Sequence, residues 1–303
     1  MTRSVSRVDG EANCEEEAYF LKIVERPELA GMSEAEYEGQ KAMAAYIPEH
    51  VVAPLAWGFL ERDTSQSFFI ARFRRMSAEL PLNSNLQFLA IIKELHQSSK
   101  SPTGKFGFHI TTYYGPPPHP LSHPMINEWT DNWEEYFLRL FRANLKYTQK
   151  EIGPDTELNE IASEFIQKVI PRLLRPLQAG GRHIKPTLCH GDLWDGNIQM
   201  DEETNMLVIF DSCCFYGHNE MDLQCMGDPR YSLGMKFIEL YKEEVGASEP
   251  EEDFYDRHNL YTVRNDICTA GMRPQYASLL EIAKEKMLRL LNKYPNGLGY
   301  VEE

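Results

Sequence analysis

The sequence predicts an α+β fold of two lobes, in which a small antiparallel β lobe (residues 1–73) precedes a larger, mostly helical lobe (residues 74–303). Two observations favour this division. Short runs rich in aromatic and β-branched residues, which are typical of strands, are concentrated before residue 74. After it, apolar residues recur mainly at the three-to-four-residue spacing of amphipathic helices. At 303 residues the chain is long for one hydrophobic core and sufficient for two.

The small lobe is expected to combine strands with one helix. The helix is predicted from residue 32 to about residue 46, with Ser33 and Glu36 as a capping box and Pro48 just beyond its end. The expected strands cover residues 3–8, 19–24, 51–60 and 67–73, with a polar turn at 62–66 between the last two.

The large lobe is expected to be built from helices around a short strand. That strand, at residues 185–189, leads into the loop at His190. The expected helices cover residues 86–98, 129–146, 155–178, 235–245, 254–269 and 275–292. Pro-rich sequence between 113 and 123 predicts a surface loop.

Composition limits the classes of function. The net charge of −15 argues against a nucleic-acid partner, because phosphate binding requires clustered lysine and arginine. The six cysteines lack the C-x-x-C spacing of a metal site, so reduced and buried thiols are expected. No apolar run is long enough to span a membrane and the N-terminus lacks the apolar core of a secretory signal, so a cytoplasmic protein without membrane association is expected.

The segment from Leu188 to Asp211 carries the chemistry. It reads H-G-D-x-x-x-x-N from His190 to Asn197, and a polar turn and an apolar strand then deliver Asp211. Phosphoryl transfer needs a carboxylate that accepts the proton of the acceptor hydroxyl, and oxygen ligands that hold Mg²⁺ on the nucleotide phosphates. Protein kinases use H-R-D-x-x-x-x-N and a later Asp for these tasks. A solvated loop is the alternative for any one of these residues, but the combined spacing favours the kinase interpretation.

A lysine within the first long strand adds a phosphate-binding cation. Lys22 lies between apolar neighbours, where an unused charge would be costly. An edge strand with Lys22 in water is the alternative; the functional interpretation is contact with the α- and β-phosphates of ATP. Glu36 is preferred over Glu38 as its ion-pair partner. The connector between the lobes, whose backbone would bind adenine, is predicted at Phe69, Ile70, Ala71 and Arg72.

Three motifs together resemble one family. HGDLW at 190–194, the strand-borne Asp211 and FYGHNEMDL at 215–223 closely resemble the fructosamine kinase family, also called ketosamine-3-kinases or protein-ribulosamine 3-kinases. This family belongs to the protein kinase-like superfamily, beside aminoglycoside phosphotransferases and choline kinases. The resemblance runs from about Tyr19 to the C-terminus. Ser212 and Cys213 replace the usual Pro and Ala, and the segment looks like that of a fungal branch.

The resemblance implies a fold and a reaction. The fold is the two-lobed, aminoglycoside phosphotransferase-like kinase fold. The reaction is ATP-dependent phosphorylation of the 3-hydroxyl of a ketosamine, a ribulosamine or fructosamine on a protein lysine or small amine, in deglycation. Asp192 would be the catalytic base, Asn197 and Asp211 would hold Mg²⁺, and Trp194 would line the acceptor pocket. Asp222 is expected to support the catalytic loop. No glycine-rich phosphate loop precedes Lys22, so the small lobe looks shortened at its N-terminus.

Two other functions stay open at this point. One is a kinase of another small molecule, of the aminoglycoside or choline kinase type, which Trp194 and the FYGH motif disfavour. The other is a kinase-like binding module with weak catalysis, which the retention of Lys22, Asp192 and Asp211 disfavours. The oligomeric state is not predicted.

Overall fold

In a computed structural model of the chain, residues 18–77, 84–115, 122–226, 230–231 and 233–299 are described. The small lobe is a three-stranded antiparallel sheet in the order β1, β3, β2, with helix α1 against it. The elements are β1 (Tyr19–Val24), α1 (Gly31–Ala44), β2 (Pro54–Leu60) and β3 (Asp63–Arg72). The strand predicted at residues 3–8 lies outside the described residues.

The large lobe contains six helices and short strands within the described ranges. In chain order its elements are β4 (Met76–Ser77), α2 (Ser84–Ser98), β5 (Tyr113–Tyr114), β6 (His123–Pro124), α3 (Trp133–Ile152), α4 (Thr156–Leu174), β7 (Thr187–Cys189), β8 (Ile198–Asp201), β9 (Leu207–Ile209), β10 (Phe215–Gly217), α5 (Gly234–Val245), α6 (Phe254–Met272) and α7 (Leu279–Lys293). Helices α3, α4, α6 and α7 share one buried apolar cluster. Helices α2 and α5 pack with the strands around the catalytic loop in a second cluster. The predicted α+β class and two-lobed fold are confirmed; the boundary at residues 73 and 74 stays a prediction.

The predicted connector is wrong in its position. Phe69 to Arg72 form the end of β3, the central strand, where Phe69 is paired with Lys22 of β1 and Trp57 of β2. Backbone groups of a central strand bond its two neighbours, so they are not available to an adenine edge. The chain leaves the sheet after Arg72, and β4 already pairs with β8. The apolar sequence Phe-Phe-Ile-Ala fits a buried central strand better than a connector.

The turn between β2 and β3 is shorter than predicted. Leu60 pairs with Asp63, so only Glu61 and Arg62 form the turn. The residues from Asp63 to Ser65 are exposed strand residues at the end of the hairpin. Their polar side chains suit water on both faces of the sheet, and for that reason they look like turn residues in the sequence.

Two helix starts also differ from the prediction. Helix α1 begins at Gly31 without a capping side chain, and the Ser33 hydroxyl instead lies 2.8 Å from the Ser67 hydroxyl. Ser33 is buried against the sheet, so it satisfies its polar group there. Helix α3 begins at Trp133, not at residue 129, because the Asn132 side chain accepts a hydrogen bond from the Glu135 N–H and caps the helix.

Among the described residues, no helix combines the length and the apolar character that crossing a bilayer requires. The cytoplasmic location stays a prediction.

Candidate active site

The catalytic loop joins β7 to β8 by a turn that only glycine fits. Gly191 has a φ of +86°, and a Cβ at this position would lie 2.3 Å from the carbonyl oxygen of Cys213. A side chain here would therefore clash with backbone and strain the turn. The Cys213 N–H donates to the His190 carbonyl oxygen at 2.8 Å, which fixes the loop against the segment after Asp211.

Asp222 holds the loop from beneath. Its Oδ2 accepts the His190 N–H at 2.9 Å and its Oδ1 accepts the Gly191 N–H at 2.7 Å. The carboxylate is fully buried, and His96 Nε2 lies 3.1 Å from Oδ2. The prediction that Asp222 stabilises the catalytic loop is confirmed.

A second buried bond comes from Gln224, a residue that the sequence did not single out. Its Nε2 donates to the Gly191 carbonyl oxygen at 2.9 Å, while its Oε1 accepts from Arg264 Nη1 at 2.6 Å. Arg264 also donates to the Tyr114 hydroxyl at 2.6 Å. Gln224 therefore links Arg264 of α6 to the catalytic loop.

His190 links the loop to the strand that delivers Asp211. Its Nε2 lies 2.9 Å from the Phe210 carbonyl oxygen, and the Asp192 N–H points at its Nδ1 from 3.2 Å. Burial lowers the pKa of His190. A neutral ring protonated on Nε2 satisfies both contacts, because Nε2–H then donates and Nδ1 accepts.

Asp192 lies at the base of a cleft, where its side chain is partly exposed. Asn197 Nδ2 donates to the Asp192 carbonyl oxygen at 2.8 Å and to its Oδ2 at 3.2 Å. Burial, followed by the charge of Asp211, raises the pKa of Asp192 to about 6. This carboxylate is ionised at neutral pH and takes up a proton more readily than an ordinary Asp, as a general base requires.

Three charged residues meet in the lining of the same cleft. Lys22 Nζ lies 2.9 and 2.8 Å from the two Glu36 carboxylate oxygens and 2.7 Å from Asp211 Oδ1. Burial alone would lower the Lys22 pKa, but the two carboxylates raise it, so the ammonium stays charged. Glu36 is the partner, as predicted; Glu38 instead contacts Lys41 and His109.

The cleft has a volume of about 920 Å³ and contains six of the predicted site residues. These are Lys22, Glu36, Asp192, Trp194, Asn197 and Asp211. Phe69, Ile70, Ala71 and Arg72 are not among the residues that line it. The Trp194 ring packs against Tyr231, with ring centroids 5.4 Å apart, and forms a wall beside Asp192.

Further cleft residues come from distant parts of the chain. Arg230 and Tyr231 precede α5, while Asn265, Thr269 and Met272 lie on α6 and Arg273 follows it directly. These residues lie in no local motif, so only tertiary structure brings them to the site.

The oxygen donors suit Mg²⁺. Asn197 supplies an amide oxygen and Asp211 a carboxylate, the hard ligands that this ion prefers. Asp211 also raises the Asp192 pKa, which shows that the two carboxylates repel each other. A divalent cation between the phosphates and these groups would relieve that repulsion. Elsewhere in the described structure His96, Cys189 and Asp222 lie within 4.8 Å of one another, but Asp222 there already binds the catalytic loop.

Comparison with known proteins identifies the family. The family model for fructosamine kinase matches residues 7–284. The chain belongs to the fructosamine kinase family. It is 28% identical over 256 residues to the chloroplastic protein-ribulosamine 3-kinase of Oryza sativa subsp. indica, covering 82% of this chain and 68% of the rice protein. It is 35% identical to the ketosamine-3-kinase of Mus musculus over 132 residues, which are 43% of this chain and 38% of the mouse protein.

Solved structures share the fold. A protein of Haemophilus somnus 129PT that has been assigned as a fructosamine-3-kinase superposes with a TM-score of 0.69 at 20% identity, covering 95% of this chain and 91% of that one. The aminoglycoside phosphotransferase APH(4)-Ia, solved in a ternary complex with AMP-PNP and hygromycin B, gives 0.61 at 13% identity over 96% and 93% of the two chains. The predicted kinase-like fold and the phosphotransferase class of the family are confirmed.

Proposed function

We propose that this protein is an ATP-dependent ketosamine 3-kinase that acts in deglycation. The observation that carries the proposal is that one cleft contains both a base beside an aromatic wall and a phosphate-binding charge cluster. Asp192 lies two residues before Trp194, and the Lys22–Glu36–Asp211 cluster lines the same cleft. The names of the rice and mouse relatives support a ketosamine as acceptor.

Asp192 would accept the proton of the acceptor hydroxyl as the hydroxyl oxygen attacks the γ-phosphorus of ATP, and the bond from that phosphorus to the bridging oxygen would break to release ADP. Asn197 holds the carboxylate through its side-chain amide, so the base is oriented before the acceptor arrives. The raised pKa of Asp192 makes it a stronger proton acceptor than an ordinary carboxylate.

The nucleotide would occupy the end of the cleft at Lys22. The ammonium of Lys22, oriented by Glu36, would contact the α- and β-phosphates. Asn197 and Asp211 would hold Mg²⁺, which supplies charge neutralisation on the phosphates. We place the connector that would contact adenine at residues 73–75, which link β3 to β4. Arg74 in this segment pairs with the buried Asp201 of β8 at 3.2 Å.

The acceptor would lie against Trp194 and Tyr231, whose rings can pack on the apolar face of a sugar. Attack by the 3-hydroxyl would place the phosphate next to the ketone of the ketosamine. Phosphorylation there destabilises the adduct and releases the amine.

The test is acceptor-dependent ATP consumption. Purified protein is incubated with Mg-ATP and either ribulosyl-lysine or fructosyl-lysine, with choline and an aminoglycoside as rival acceptors and Asp192→Asn as the blank. We expect wild type to form ADP in the presence of a ketosamine, and we expect the Asp192→Asn blank not to do so. Turnover with choline or the aminoglycoside but with neither ketosamine would reject the proposal and favour another small-molecule kinase.

A further inference from the structure

Two arginines, Arg230 and Arg273, line the cleft together with Trp194 and Tyr231, in addition to Lys22. The chain as a whole is acidic, with a net charge of −15, and its general field repels anions. Guanidinium groups in the lining of this cleft therefore indicate local recognition of negative charge.

Arg230 is held in place by aromatic rings. Its guanidinium carbon lies 5.2 Å from the Tyr231 ring and 5.2 Å from the Tyr276 ring. Tyr231 in turn packs on Trp194. Stacking of this kind orients the planar donor group. The rings of Trp194 and Tyr231, which are proposed to pack on the sugar, therefore lie beside the positioned cation of Arg230.

Arg273 follows α6 directly, and Asn265, Thr269 and Met272 of that helix line the same cleft. Within the described part of the chain Arg273 forms no salt bridge, unlike Lys22, which pairs with Glu36 and Asp211. Burial raises the pKa of Asp192, and the charge of Arg273 is among the influences that limit this rise. Arg273 is therefore close enough to Asp192 to act on an acceptor bound there.

We propose that the preferred acceptor is a ketosamine that carries an anionic group, a carboxylate or a phosphate, bound by Arg230 and Arg273. The inference rests on the proposed function, since it specifies the acceptor of the same site. Guanidinium groups bind both anions in the two-pronged geometry that lysine lacks. Asp195, which also lines the cleft, supplies a negative charge for the protonated amine that every ketosamine contains. The site thus suits an acceptor with one positive and one negative group.

Three acceptors with one scaffold test this proposal. The neutral reference is the ribulosamine of β-alaninamide. The second is the ribulosamine of β-alanine, which changes only the amide to a carboxylate. The third is the 5-phosphate of the reference, which moves the anion to the sugar. We measure kcat/KM for each with wild type, Arg273→Gln and Arg273→Lys, and use Arg289→Gln on α7, whose guanidinium contacts the exposed Asn259, as the control for the loss of one charge.

We expect wild type to prefer at least one anionic acceptor over the reference by about 10-fold or more, the scale of one charge-assisted contact. Arg273→Gln should lower this ratio severalfold, Arg273→Lys should restore part of it, and Arg289→Gln should not change it. The ratio of kcat/KM for two acceptors cancels any effect of Arg273 on Asp192 itself, because that effect is common to both acceptors. Which anionic acceptor gains shows whether the carboxylate or the phosphate is recognised.

Two outcomes overturn the inference, and they are distinguishable. If wild type phosphorylates the neutral reference as well as both anionic acceptors, or Arg273→Gln lowers all three equally, the arginines do not select the acceptor and the ketosamine kinase stands. If no acceptor is phosphorylated, the proposed function fails and this inference fails with it.

Discussion

Two aspartates of the site, Asp192 and Asp211, are held in contrasting ways. Asp192 lies on a loop whose backbone is bonded by Asp222 and Gln224, both fully buried in the large lobe. Asp211 is held across the cleft by Lys22 of the small lobe, and about a third of its side chain is exposed. Its φ of +56° is an uncommon conformation for a residue other than glycine.

Because of this difference, we expect the contacts around Asp192 to stabilise the fold and those around Asp211 to take part in nucleotide binding. Bonds from buried carboxylate and amide groups are part of the folded core, so Asp192, the proposed base, is oriented before any ligand binds. The Lys22–Asp211 contact uses the same groups that the phosphates and Mg²⁺ would need. It must be rearranged when the nucleotide binds. Changes at the buried support should affect the melting temperature, whereas changes at Lys22 should affect the Michaelis constant for ATP.

The largest expected effect is on catalysis by the base. Asp192→Asn should reduce kcat by about 100-fold or more, the scale for loss of a general base. Mg-ATP should still raise the melting temperature of the variant, because Lys22, Asn197 and Asp211 remain and ligand binding stabilises the native state. Turnover within a few-fold of wild type would show that Asp192 is not the base.

The next effect is on the buried support. Asp222→Asn replaces one acceptor oxygen with an NH₂ group that faces a backbone N–H, so a buried donor loses its partner. We expect a loss of about 2–4 kcal/mol in the free energy of unfolding, together with reduced kcat. Denaturant titration measures it. Asp131→Asn, whose side chain is 77% exposed, is the control and should change little; equal stability of both variants would refute the role of Asp222.

A smaller effect is expected at the small-lobe end. Lys22→Met removes the cation, so the ATP Michaelis constant should rise about 10-fold or more. The largely buried Glu36 then loses its partner, but burial already raises the pKa of Glu36 and it can take up a proton, so the melting temperature should fall less than in Asp222→Asn. Lys41→Met, on the exposed face of α1, is the matched control. If Lys22→Met lowered stability as much as Asp222→Asn does, the contrast between the two halves would be lost.

The smallest effect is a gain in stability without ligand. The native Asp192 pKa of about 6 lies above the usual 3.8. The folded state therefore favours the protonated Asp192 carboxyl. The stability associated with this protonated form is fully present below pH 3.8 and is lost as the pH rises through about 6. At pH 7.5 Asp192→Asn should be more stable than wild type by about 1–2 kcal/mol, after reduction for partial exposure in the cleft.

This gain should shrink at pH 4.5, where the native carboxyl is mostly protonated. Melting curves at the two pH values measure it. A variant that is less stable than wild type at pH 7.5 would contradict the raised pKa.

The catalytic loop could be predicted from the sequence because its chemistry is local. Asp192 and Asn197 are five residues apart in one turn, and Asp211 follows on the next strand pair, so spacing alone brings them together. A charge in an apolar strand requires a partner, and the resemblance of the following helix to that of the family selected Glu36 over Glu38. Phe69 to Arg72 were misassigned because an apolar run can be a central strand or a connector, and only pairing with β1 and β2 decides between them.

Apart from Trp194, the residues proposed to bind the acceptor could not be predicted. Arg230 and Arg273 lie in no motif, and only the tertiary structure brings both into the lining of the cleft. Gln224 is equally unmarked in the sequence, and its role follows from its contacts with Gly191 and Arg264. Ser33 shows the same limit on a smaller scale. Its sequence context fits a helix cap, but its hydroxyl is satisfied by Ser67 of a distant strand.

The position of the transferred phosphate is the most direct test of the proposed ketosamine 3-kinase activity. Ribulosyl-lysine is incubated with the protein and Mg-ATP, and the product is followed by phosphorus and proton NMR and by the appearance of free lysine. We expect wild type to place a phosphate on the 3-hydroxyl and then to release lysine, and we expect Asp192→Asn to form neither product. A stable product phosphorylated on another hydroxyl, with no amine released, would contradict it.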